Sequence, residues 1–176
     1  MATHNQVRAV GFLTQEPKIY NADKPGTEKV MFQIRTMRRE IEGDRDAKFE
    51  DLIVLYDGRD FIDKAMNLKA YDLIDIKGVF CVMTVQKPSR CPHCGMTNIK
   101  YLGSLSCVYP ISMHKLDNVL NSYNYNKELP EEILKKHYQE ISNQTLIVGT
   151  VVSDPEMLTL SPGSCCRYKL GVNRKY

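Results

Sequence analysis

The chain has 176 residues, of which 43% are hydrophobic and 26% charged, a balance that fits a globular protein and excludes a fibrous repeat or a disordered tail. A net charge of +3 is too small for bulk attraction to a polyanion, so any anion site must come from local arrangement. No apolar run approaches the ~20 residues of a membrane span and the opening residues lack a signal peptide's basic and apolar regions, so a cytoplasmic protein without a membrane partner is expected.

Taken in chain order, residues 5–13 alternate and stop near Pro17, which reads as a strand ended by a turn. Residues 29–39 form a second strand after a turn-rich stretch at 21–26, and a charged, Gly-containing loop at 40–48 leads to an apolar third strand at 49–56. Phe61, Ile62, Ala65, Met66 and Leu68 lie at helical spacing, so a short helix is predicted over 60–68. A fourth strand follows over 71–87, with Gly78 placed for a bend or bulge, and a fifth over 101–113. Strand, strand, strand, helix, strand, strand is the order a five-stranded Greek-key barrel requires.

Beyond the barrel, residues 121–127 read as a linker. Residues 130–141 have Pro and acids at their start and Ile133, Leu134, Tyr138 and Ile141 on one face, which predicts a connecting helix. Residues 5–17 align without gaps on 143–155, and 32–39 on 168–175, so strand, turn and hairpin partner recur in order. The domain reading is therefore a barrel at 1–116 with a cysteine loop at 88–107, a linker and helix at 117–142, and a partial second unit at 143–176.

Four stretches, 5–17, 32–39, 49–78 (with YDGR at 56–59) and 168–176 (YKLGVNRKY), resemble the bacterial single-stranded DNA-binding protein (SSB) family. The resemblance implies a mostly β OB-fold barrel with a short helix, here followed by a connecting helix and the first hairpin of a second OB-like unit. It also implies non-catalytic, sequence-independent binding of single-stranded DNA, assembly into a homo-oligomer, and replication or recombination proteins as further partners. The chain departs from the family in having no Trp and in carrying cysteines between the fourth and fifth strands. Glu40 stands where the family often has an aromatic, whereas Tyr176 keeps one in the second copy.

Binding a single strand needs cations that track phosphates and aromatic faces that stack bases. Alternation puts Phe32, Ile34 and Thr36 inward and Arg35 and Arg39 outward, with Arg38 near the strand end, so these arginines are the expected phosphate contacts. Phe49 and Tyr56 are candidate stacking platforms; seven residues apart, they face opposite sides, and each has barrel filling as its alternative. On the apolar outward face of the fourth strand, Lys87 and, just beyond it, Arg90 are the expected phosphate contacts. The sugar is not distinguished by these contacts, so RNA stays open.

The six cysteines are too scattered and too partly adjacent for a disulfide framework. Cys91-Pro-His-Cys94-Gly95 has knuckle spacing, and with Cys107 as third ligand it predicts a zinc site whose fourth ligand is His93, His114, Cys81 or a second chain; unliganded cysteines are the alternative. The same CPHC occurs in thiol-disulfide oxidoreductases, where it opens a helix, but here a strand follows. No Walker loop, HExxH, GxSxG or dinucleotide fingerprint is present, so no enzyme is expected. An assembly module that binds protein through its sheet is the competing class, and its binding would not fall steeply with salt.

Overall fold

The computed structural model describes residues 4–38, 48–116, 132, 134–135, 143–161 and 163–172, with only the backbone of Arg38. Arg39, Tyr176, the loop at 40–47 and most of the expected connecting helix lie outside the described residues; Glu132, Leu134 and Lys135 are helical. The elements are β1 (His4–Leu13), β2 (Lys18–Tyr20), β3 (Lys29–Arg38), β4 (Lys48–Tyr56), α1 (Arg59–Met66), β5 (Leu73–Arg90) and β6 (Thr97–Lys115), then β7 (Gln144–Val148), β8 (Thr150–Val151), β9 (Glu156–Leu160), β10 (Gly163–Arg167) and β11 (Leu170–Gly171).

Strands β1, β3, β4, β6 and β5 neighbour one another in that order, and β1 also pairs with both β3 and β5, so the ring closes. All its pairings are antiparallel except β4 with β6, which run parallel and meet at Val54↔Val108. This is the OB fold expected from the order of strands and helix.

Alternation builds the interior. On β3, Val30, Phe32, Ile34 and Thr36 are buried, and they pack with Val7, Ala9 and Leu13 of β1, Val54 of β4, Ile74 and Ile76 of β5 and Val108 of β6. Each fully buried Val, Leu or Ile contributes about 1.5–3 kcal/mol. The polar residue of this β3 set, Thr36, donates its hydroxyl to the Glu50 carbonyl at 3.2 Å. At eight residues α1 is too short to persist alone, and it holds because Phe61, Ile62 and Ala65 plug the barrel.

Two glycines mark close approaches. A Cβ on Gly11 would stand 2.4 Å from the Arg35 carbonyl oxygen, and one on Gly78 would stand 2.3 Å from that of Tyr109. The strand register shifts at Lys77/Gly78, with Ile111 as the extra residue on β6, so the predicted irregularity is real but sits on the partner strand. Beside it, the Asn5 side chain donates to the Phe80 carbonyl and accepts the Phe80 N–H, both at 2.8 Å.

Two elements differ from expectation. The short β2 pairs with the start of β3 and was unforeseen, because three residues are too few to show a period. The predicted loop at 88–107 is mostly strand: β5 and β6 stay paired out to Arg90↔Thr97 and form a long arm. Val82, Val85, Ile99 and Tyr101 favour strand even without a core beneath them.

In the C-terminal part, β7 pairs antiparallel with β1 about Val7↔Thr145. Those two residues also correspond in the sequence repeat, so the pairing is symmetric between repeats. The hairpin register recurs as well: Phe12↔Arg35 and Leu13↔Ile34 correspond to Thr150↔Gly171 and Val151↔Leu170. The bond from Thr14 N–H to the Gln33 carbonyl, 3.1 Å, is matched by that from Val152 to Lys169, 3.0 Å. Asn143 ties this part to the ring, accepting from Val10 N–H at 3.1 Å and donating to the Met37 carbonyl at 3.2 Å. Among the described residues, no helix is long and apolar enough to cross a membrane.

Candidate nucleic-acid interface

OB folds present ligands with the outer face of their second and third strands, flanked by the loop after the first strand and the connection between the last two. Here those are β3 and β4, residues 14–28, and the β5–β6 arm. The core alternation of β3 turns Lys29, Met31, Gln33, Arg35 and Met37 outward, and the register sets Met31, Gln33, Arg35 and Met37 against Leu55, Ile53, Asp51 and Phe49.

Arg35 is on the expected face but not as a solitary cation. Its Nε is 2.9 Å from Asp51 Oδ1 and its Nη2 is 3.3 Å from Oδ2, a two-pronged pair about one-third exposed on both sides. Arg8 on β1 is likewise held by Asp75, Nη2 to Oδ2 at 2.7 Å. Asp51 is visible in the sequence, but its position opposite Arg35 depends on register.

Both expected stacking platforms are placed otherwise. Phe49 packs in a second apolar cluster with Val10, Phe12, Leu73 and Leu134, and Lys135 Nζ lies 5.9 Å from its ring centroid. The segment after the barrel therefore covers it. Tyr56 points to the barrel side, against Phe61 at 4.5 Å and Tyr109 at 4.9 Å between ring centroids, and closes one end of the core. The two do face opposite sides, but neither is an open platform.

Sequence reasoning missed two cations beside this face, Lys18 of β2 and Lys29 at the start of β3. The β2 register sets Lys18 opposite Met31 and Tyr20 opposite Lys29, so Lys18, Tyr20 and Lys29 share the outward face with Arg35. Tyr20 is 44% exposed, an aromatic with room for a base. No periodic signal could have found Lys18 and Tyr20, since β2 has only three residues.

On the arm, Lys87 pairs directly with Lys100 and both are exposed. Two ammonium groups placed opposite each other repel, and an anion between them removes the cost. β5 runs without an extra residue from Cys81 to Lys87, so Lys87 faces the same way as Met83 and Val85. The same side of the sheet carries an apolar patch in which Leu55, Val79, Cys81 and Cys107 are buried among Met31, Ile53, Met83 and Tyr109. Arg90 donates its Nε to the Gly95 carbonyl at 3.2 Å and so braces the arm's tip.

The expected three-cysteine metal set is divided. Cys107 is buried and pairs with Cys81 beside the barrel, whereas Cys91 and Cys94 lie beyond the Arg90↔Thr97 rung. Nine residues of strand at about 3.3 Å each separate them, roughly 30 Å. Among the described residues no group of three or more His, Cys, Asp or Glu side chains is placed to hold a metal.

No family model matches the chain, and no curated protein matches it. Among solved structures, the wild-type single-stranded DNA binding protein from Thermus aquaticus is similar at TM-score 0.64 and 18% identity, over 98% of this chain and 70% of that one. The Plasmodium falciparum SSB, in a complex with single-stranded DNA, is similar at TM-score 0.50 and 10% identity, over 66% of this chain and 98% of that one. These likenesses establish the shared OB architecture.

Proposed function

We propose that this chain binds single-stranded DNA non-catalytically and without reading sequence, and so sequesters it during replication, recombination or repair. The observation that carries this reading is the run of Lys18, Lys29 and Arg35 along one outer face of an OB barrel, beside an arm on which Lys87 faces Lys100. Phosphates track these cations, and bases lie on Tyr20 and the apolar patch around Met31 and Met83. The solved DNA-binding neighbours and the family resemblance of the sequence support the same reading. Residues 143–176 belong in it to a second OB-like unit, which the repeated hairpin register supports, and a homo-oligomer forms the working particle.

The test is titration of a fluorescent oligothymidine at low and high salt, with duplex of the same length and a matching oligouridine as comparisons. Single-strand binding that weakens steeply with salt, about 0.7 in log–log slope per phosphate contact, is the expected result. Binding of the oligouridine with equal strength would extend the ligand to RNA. No binding to either strand overturns the reading in favour of a protein-assembly module.

A further inference from the structure

The arm ends in a turn that neither the barrel nor its DNA-binding face requires. Cys91 N–H donates to the Met96 carbonyl at 2.8 Å, and Gly95 N–H donates to the Cys91 carbonyl at 3.0 Å. Gly95 supplies the left-handed conformation, φ +72°, that closes the loop. Inside it, the Cys91 sulfur accepts the backbone N–H of Cys94, then that of His93, and the Cys94 thiol. Two sulfurs thus meet at one turn, beside the N–H groups of His93 and Cys94. Burial does not explain them, because Cys94 is exposed and the arm has no core at this height.

We infer that the arm's tip is a thiolate site for a zinc-class divalent ion, and that the ion takes Cys91 and Cys94 from each of two copies of the chain. A closed tetrahedral site needs four ligands, one tip supplies two thiolates, and His93 does not join them in a group of three among the described residues. Within the chain Cys81 and Cys107 do not reach, since they sit about 30 Å down the arm, and Cys165 and Cys166 belong to β10, which pairs with β9 and not with the arm. A second tip related by a two-fold axis completes the set with identical residues.

The arm also presents what such a partner would cover. Met96, Ile99, Tyr101 and Leu102 are 66%, 71%, 62% and 54% exposed, an apolar stretch next to the cysteines. Four thiolates around a divalent ion leave a double negative charge, and Arg90, whose guanidinium is about 3.7 Å from where a Gly95 Cβ would stand, offsets it from each copy. This inference does not depend on the DNA-binding reading, since it uses none of the same side chains on the barrel.

The experiment is a Co²⁺ titration of the reduced, full chain followed by absorption, then displacement by Zn²⁺. Expected are the d–d bands of a tetrahedral ion, a thiolate charge-transfer band with the intensity of four sulfurs per cobalt, and saturation at about half an equivalent per chain. Cys94→Ser should weaken cobalt binding at least about a hundredfold, beyond the loss of an outer-shell partner, with an unchanged circular dichroism spectrum. Cys107→Ser should bind as the parent does. Saturation at one equivalent with the intensity of two sulfurs overturns the shared site, and absence of thiolate bands, or their persistence in Cys94→Ser, overturns the metal site.

Discussion

Arg35 and Asp51 show how a single pair decides the strength of the barrel's outer face. The carboxylate neutralises the best-placed guanidinium, so Asp51→Asn should strengthen oligothymidine binding two- to fivefold, about 0.5–1 kcal/mol, and Arg35→Ala should weaken it with a shallower salt slope. Fluorescence titration of the two variants across a salt series checks both. Asn5 acts on stability instead: Asn5→Ala leaves the Phe80 N–H and carbonyl without their side-chain partner, and should cost about 1–3 kcal/mol in urea unfolding. Arg35 was legible because alternation along β3 shows in the sequence itself. Asp51 as its partner was not, because a one-residue slip in register would put a different side chain there.

At the scale of elements, the arm combines strand pairing with charges that oppose it. Replacing both Lys87 and Lys100 by Ala should leave thermal stability unchanged or slightly raised, and should reduce the salt slope of DNA binding by about 1.4, two phosphates' worth. Parallel melting and binding curves measure it. The five strands and α1 could be read from periodicity, Gly78 and the helical spacing of Phe61, Ile62 and Ala65. The arm could not, since its Val and Ile residues reward strand formation over a stretch where Pro88, Pro92 and Gly95 argue for a loop. The two readings open for Phe49 and Tyr56 could not be separated for a related reason: what covers an aromatic is set by segments far away in sequence, here Leu134 and Tyr109.

Across the whole molecule, β1 is the strand on which everything else depends. It takes β5 along one edge, and β3 and then β7 along the other. Removing residues 143–176 should leave the edge at His4–Arg8 open, lower the melting temperature by several degrees, and produce concentration-dependent self-association in sedimentation. The hairpins β3–β4 and β5–β6, in contrast, meet each other in register, among the described residues, only at Val54↔Val108. The barrel is thus like a book, with β1 as its spine and, beside the contacts of Tyr109 with Tyr56 and Asp57, one backbone clasp between the covers. Thermal breathing should begin at that clasp, so amide exchange at Val54 and Val108 should outpace exchange at Val7 and Ala9, and a strand lying from the β3 cover to the arm would slow it by holding the book shut.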